Sequence, residues 1–169
     1  GKEAMRQNNS ATSGNVVIGA DAARNAGGGN ENTIIGYKAG RDNDAGDQNT
    51  FVGANAGQDC ESSGIVAVGF DALKANTDGE FNVAVGFSSL SGNTTGSANT
   101  AVGWNSLRDN TTGQNNTAFG VLALKANITS SGNTAIGRQA LDGNIDGDNN
   151  TALGYKALIA HESGSLNIA

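Results

Sequence analysis

The sequence predicts an all-β protein, a parallel β-solenoid, and three observations lead there. One six-residue phrase recurs nine times: NVVIGA from Asn15, NTIIGY from Asn32, NTFVGA from Asn49, IVAVGF from Ile65, NVAVGF from Asn82, NTAVGW from Asn99, NTAFGV from Asn116, NTAIGR from Asn133 and NTALGY from Asn150. The glycines that close these phrases, Gly19, Gly36, Gly53, Gly69, Gly86, Gly103, Gly120, Gly137 and Gly154, lie 17 residues apart, except for the 16-residue step from Gly53 to Gly69. The composition is poor material for an ordinary globular core, with 26 Gly, no Pro and 5% aromatic residues in a chain of 169. A short fixed period marks a repeat whose units bury their apolar side chains only by stacking on one another.

Each repeat is too short for a helix pair. The phrase TAVG is β-branched and bounded by Asn and Gly, so it reads as a strand. Three residues after each glycine comes a small residue (Ala4, Ala22, Ala39, Ala56, Ala72, Ser89, Ser106, Ala123, Ala140, Ala157), followed by Leu73, Leu90, Leu107, Leu124, Leu141 and Leu158 in the later repeats. The early repeats have Met5, Ala23, Gly40 and Gly57 there, and a basic residue often follows. This ALKAN-like segment predicts a second short strand or a bend, and the NTTG segments from Asn93 and Asn110 predict turns. The expected unit is one flattened coil of two strand segments and two turns. An antiparallel meander ranks below it, because it gives identical residues no reason to align.

Parallel coils rise about 4.8 Å each, so about ten of them would form a rod on the order of 50 Å long. Residues 1–169 are then a single repeat domain. Gly1 falls on the glycine column and Asn167 opens another phrase, so the chain is expected to be a slice of a longer fibrous region. Stacking would align Asn15, Asn32, Asn49, Asn82, Asn99, Asn116, Asn133 and Asn150 into a ladder, with side-chain amides bonded from coil to coil.

Side chains alternate along a strand, so in NTAVGW the Thr, Val and Trp point one way and the Asn, Ala and Gly the other. Neither face is charged; Arg138 brings the one charge in the nine phrases. A strand apolar on both faces is buried on both. A thin coil has one interior, which predicts that its second face is covered from outside, most simply by a symmetric copy of the same rod. The sequence leaves open which face looks inward.

At these residues the sequence resembles the head repeats of trimeric autotransporter adhesins, the Hep/Hag or YadA-like type. NTAVG, NTAIG and the Ala three residues beyond the glycine carry the resemblance. It is also similar to NTAxGxxAL…NTTG arrays of phage tail-fibre proteins. The 17-residue period departs from the shorter adhesin coil and lengthens the turn. The resemblance implies a trimeric, left-handed parallel β-roll on a bacterial cell surface, a virion or an injection device; the number three and the handedness come from it alone.

The chemistry expected is sparse. A net charge of −6 and a pI near 4.5 argue against binding nucleic acid or anionic membrane through a basic surface. No apolar run is long enough to span a bilayer. Asp42, Asp44 and Asp47, or Asp142, Asp146 and Asp148, are oxygen donors of the kind calcium uses, but they stand where other repeats have Asn, Thr and Ser and lack the spacing of known calcium loops. Solvated turns are the preferred reading, and no cofactor is expected. Cys60 and His161 share the column otherwise held by Asn43, Asn76, Asn93, Asn110, Asn127 and Asn144, too many coils apart to form a dyad. No catalytic or metal site is expected. Sequons at Asn8, Asn93, Asn110, Asn115, Asn127 and Asn149 follow from the Asn/Thr-rich composition. Trp104 is the one side chain singled out for glycan stacking, although its column continues the apolar stripe and predicts burial.

The expected function is a structural and attachment fibre segment that presents a receptor-binding region located elsewhere in a parent chain. Its alternatives are an ice-binding solenoid, built on the rank Thr33, Thr50, Thr100, Thr117, Thr134 and Thr151, or a self-assembling extracellular filament. The repeat glycine Gly103 is expected to tolerate a side chain far less well than the turn glycine Gly113.

Overall fold

The computed structural model describes residues 13–25, 27, 29–43, 46–160 and 162–169. Within them the chain winds as a parallel β-solenoid with one three-residue strand per coil. The strands are β1 (Val16–Ile18), β2 (Thr33–Ile35), β3 (Thr50–Val52), β4 (Val66–Val68), β5 (Val83–Val85), β6 (Thr100–Val102), β7 (Thr117–Phe119), β8 (Thr134–Ile136) and β9 (Thr151–Leu153). They form one parallel sheet in sequence order. Each residue pairs with its equivalent in the next phrase, as in Thr100↔Thr117 and Ala101↔Ala118, and the register holds across the 16-residue step, where Thr50 pairs with Val66. A partial further coil continues the stack, with Ile168 bridged to Thr151.

The hydrogen bonds explain how three residues hold as a strand. In β6 the Thr100 N–H donates forward to the Asn116 carbonyl at 2.8 Å, and the Gly103 N–H donates back to the Val85 carbonyl at 2.8 Å. The turn side is laced in the same way, with Leu107 N–H bonded to the Ala123 carbonyl at 2.9 Å and Thr111 N–H to the Ile128 carbonyl at 2.8 Å. Backbone groups of an interior coil thus find partners in both neighbours, which short isolated strands lack.

The expected second strand is absent. Its place is taken by a turn whose alternate residues are left-handed, as at Asn105 (φ 52°) and Leu107 (φ 49°). Left-handed backbone at a Leu is uncommon, but it recurs at Leu73, Leu90, Leu124, Leu141 and Leu158. It turns each side chain into the coil, and Leu73, Leu90, Leu107, Leu124 and Leu141 are fully buried. Burial of a whole Leu outweighs a local backbone cost of about 1–2 kcal/mol.

The question left open by the alternation is answered by the burial of the middle strand residue. Ile34, Phe51, Ala67, Ala84, Ala101, Ala118, Ala135 and Ala152 are buried inside the coil, with the small column Ala22 through Ala140 packed beside them. Two fillings of this interior occur. In the first coils a large strand residue faces a small turn residue: Ile34 and Phe51 with Gly40 and Gly57. From β4 onward Ala on the strand faces Leu on the turn. A Cβ built on Gly57 would lie 2.5 Å from the Phe51 ring and one on Gly40 2.8 Å from it, so those glycines make room for the phenyl group.

The glycine that closes each phrase is required twice over. Gly103 has φ +131°, and a Cβ there would lie 2.7 Å from the Gly120 carbonyl group. The expectation that Gly113 is tolerant is corrected. Its φ is ordinary, yet a Cβ would lie 2.3 Å from the Ser130 carbonyl oxygen and 2.4 Å from Asn110 Oδ1.

Candidate functional site

The Thr, the large aliphatic and the aromatic of each phrase point away from the interior and form one broad face along the whole sheet. Its central rank is Ile18, Ile35, Val52, Val68, Val85, Val102, Phe119, Ile136 and Leu153, of which Phe119 is 55% exposed. Beside it runs the column of Tyr37, Phe70, Phe87, Trp104, Val121 and Tyr155, all exposed. Phe70 and Phe87 stack with centroids 5.1 Å apart, close to the spacing of parallel strands. Trp104 is 47% exposed in the single chain, so the expected burial of that column is not met within one coil stack. The Thr rank, with Val16, Val66 and Val83 in three of its places, flanks the aliphatic rank in strict register.

Charge is sparse on this face. Arg138 stands in the aromatic column between Val121 and Tyr155, its guanidinium 5.7 Å from the Tyr155 ring centroid, and Lys38 Nζ lies 5.1 Å from that of Tyr37. On the turn side Arg41 hydrogen-bonds Asp42 and lies 3.6 Å from Asp59 of the next coil, while Arg108 pairs with Asp109 at 2.6 Å. Desolvation raises the Asp42 carboxyl, but hydrogen bonds from Arg41 and Asn25, with the Arg41 charge, outweigh it and leave the group below its ordinary value.

The asparagines make two ladders, both bonded from coil to coil but through different partners. In the column Asn15 to Asn150, each Oδ1 accepts from the backbone N–H of the equivalent residue one coil on, which is Ile65 for Asn49 and an Asn for the rest, as Asn82 does from Asn99 at 2.9 Å. Each Nδ2 donates to a turn carbonyl, as Asn99 does to Gly113 at 2.8 Å. Only Asn116 and Asn167, among the described residues, also reach the neighbouring amide. The chain of amide to amide runs instead through Asn76, Asn93, Asn110, Asn127 and Asn144, at 2.7–3.0 Å. A third ladder went unread in the sequence although its signal was there. Side-chain acceptors stand two residues before several phrases: Ser63, Ser97, Ser131 and Ser165 accept from the backbone N–H of Asp47, Glu80, Gln114 and Asp148.

These ladders decide the other expected sites. Asn93, Asn110 and Asn127 are buried with their Nδ2 engaged, so those sequons are closed to a glycan; Asn115 and Asn149 are exposed, and Asn8 lies outside the described residues. Asp42 is committed to Arg41, Asp44 lies outside the described residues, and no group of three His, Cys, Asp or Glu able to hold a metal occurs among the described residues. Cys60 is buried against Ser62 and Asn76, and burial pushes its thiol above the ordinary value, away from the reactive thiolate. His161 lies outside the described residues. Among the described residues no helix is long and apolar enough to cross a membrane. Comparison with models of known protein families, with curated proteins and with solved structures found no match to this chain.

Proposed function

We propose that this chain is a structural fibre segment, a trimeric shaft that spaces or presents a receptor-binding region, carried outside a cell or on a virion or injection-device tail. One observation carries the reading: an aliphatic rank and an aromatic-rich column run along the outward face from β1 to β9, half-buried on the middle strands and exposed at β1 and β7–β9, with the aromatic side chains exposed beside them. Soluble monomers rarely leave a continuous apolar surface of that extent uncovered, and the face is repetitive and nearly free of charge, as a self-complementary interface along a shared axis requires. The partner is a second and third copy of the same chain, packed with parallel axes; the number three rests on the resemblance to adhesin and tail-fibre repeats.

The shaft reading assigns the segment no catalysis and no cofactor. Receptor or glycan binding by Trp104 belongs to a rod whose aromatic column stays exposed, so it competes with assembly. Ice binding draws on Thr100, Thr117, Thr134 and Thr151 in register on one sheet, but their neighbours Val102, Phe119, Ile136 and Leu153 supply no second hydroxyl rank.

Sedimentation and light scattering of the folded chain test the proposal. The expected mass is three chains, and Val102→Asp with Ile136→Asp is expected to give monomers or aggregates. A stable folded monomer at micromolar concentration removes the shared-axis reading, and a dimer removes only the number. Thermal hysteresis in the same sample would move the assignment to ice binding.

A further inference from the structure

The strand side of the solenoid is continuous, whereas on its turn side the asparagine ladders lapse at the short coil from Gly53 to Gly69, where backbone bonds from Gly57 and Asp59 and the Ser62 hydroxyl bond to the Gly79 carbonyl remain. Cys60 and Ile65 are five residues apart where Asn76 and Asn82, Asn93 and Asn99, and Asn110 and Asn116 are six. The missing residue comes from the turn, and both asparagine ladders fail in that coil.

In the amide ladder, Asn93 Nδ2 donates to Asn76 Oδ1 at 2.7 Å, but Asn76 Nδ2 has no amide to reach. It donates to Ser62 Oγ at 2.7 Å, to the Gly79 carbonyl at 2.9 Å and to the weaker acceptor Cys60 Sγ at 3.5 Å. Among the described residues no hydrogen bond joins Cys60 to Asn43. In the other ladder, Ile65 receives a bond from the coil before it, its N–H donating to Asn49 Oδ1 at 2.9 Å. It passes none on, because its side chain has no oxygen to accept the N–H of the buried Asn82, a service that Asn82 and Asn99 perform for Asn99 and Asn116. The neighbouring turn bonds are long as well: Phe81 N–H to Ser63 at 3.4 Å and Glu61 N–H to Thr77 at 3.2 Å, against 2.9 Å for the equivalent Ala98 and Thr94 bonds. The interior filling changes at the same place, from Phe51 with Gly57 to Ala67 with Leu73. Across all this the sheet is intact, with Thr50 N–H to Ile65 and Gly69 N–H to Val52 both at 2.8 Å.

We propose that the short coil is a one-sided hinge, at which the rod opens on its turn side about the unbroken sheet before any other coil parts from its neighbours. A polar ladder holds its coils through bonds that reinforce one another, and a gap in it localises opening. The hinge is a property of the single chain and does not require the fibre reading. In a fibre assembled through the sheet face, it would let the turn side yield without breaking the interface.

Residue-resolved hydrogen exchange on the intact protein, in whatever oligomeric state it adopts, tests this. The Glu61 and Phe81 amides should exchange about tenfold faster than Thr94 and Ala98, while Gly69 and Val66 stay as protected as Gly86 and Val83. Ile65→Asn restores the acceptor for Asn82 and should slow exchange at Glu61 and Phe81, leaving Gly69 unchanged. Equal protection of Glu61 and Thr94, or exchange at Gly69 and Val66 as fast as at Glu61, overturns the hinge. Unchanged exchange at Glu61 and Phe81 in a folded Ile65→Asn protein overturns its cause. If that variant does not fold, the pattern in the unaltered chain alone decides.

Discussion

The coils of β1–β3 and those of β4–β9 fill one kind of interior from opposite sides. In the first group bulk comes from the strand, Ile34 and Phe51, and the turn recedes to Gly40 and Gly57. In the second it comes from the turn, Leu73 to Leu141, and the strand recedes to Ala. What the repeat preserves is the sum of two columns, and neither column alone. The backbone makes the exchange cheap, because Gly57 at φ 55° already has the conformation of Leu73 at φ 49°.

That equivalence can be broken first by Phe51→Ala, which leaves a cavity expected to cost about 3–5 kcal/mol per chain. Gly57→Leu alone drives a side chain into the Phe51 ring and should also be strongly destabilising. Together the two changes copy the second filling onto the first region and should recover more than half of the summed loss, read as melting temperature and urea midpoint. Simple additivity would show that the columns do not share one volume. In the second region Leu107→Ala removes the turn's contribution with no bulky strand residue to compensate, for about 2–5 kcal/mol.

A second pair of changes asks whether the glycines beside strand and turn are equally constrained. Gly103→Ala meets positive φ and the Gly120 carbonyl; Gly113→Ala meets the Ser130 carbonyl and Asn110 in ordinary φ. Each is expected to cost about 1–3 kcal/mol per chain, with melting shifts of similar size. A Gly113→Ala protein that melts like the unaltered chain would show that the turn side of its coil yields, as only the short coil is expected to do.

Much of this was legible because stacking turns sequence period into spatial neighbourhood. The spacing of Gly19 to Gly154 predicts which residues align, and strand alternation predicts that Val102 and Trp104 share one face and Asn99 and Ala101 the other. Depth was harder to read. A two-residue period says that faces differ but not which is inside, and Ala101 reads as inward only once Leu107 is known to face it. Leu107 itself misleads, since a left-handed Leu is rare enough that LRDN reads as strand or bend. The asparagine columns were visible, but whether an amide bonds another amide or a backbone N–H depends on a fraction of a residue of stagger, which identity alone does not carry. The tightness at Gly113 was hidden for the same reason, because NTTG is the sequence of an open turn and here it is pressed against the next coil.

The smallest expected difference between the two regions is electrostatic. In the first, Asp42 ties two coils together, since Asn25 donates to it from the coil before and its partner Arg41 also faces Asp59 in the coil after. In the second, Arg108 pairs with its sequence neighbour Asp109. The Asp42 carboxyl lies below its ordinary value of 3.8 in the folded chain, so folding favours its charged form. Its contribution is fully present above the unfolded value and is lost as pH falls through the folded one. The pair is partly exposed and screened, which limits the contribution to about 1 kcal/mol or less. Asp42→Asn should therefore lower the urea midpoint slightly at pH 7, and the gap to the unaltered chain should narrow as the pH falls below the ordinary carboxylate value. Comparing the two proteins at each pH cancels the titration of the remaining carboxylates. A gap of the same size at pH 7 and pH 2 would mean that Asp42 acts through hydrogen bonds that Asn also makes, and that the two regions do not differ in their response to acid.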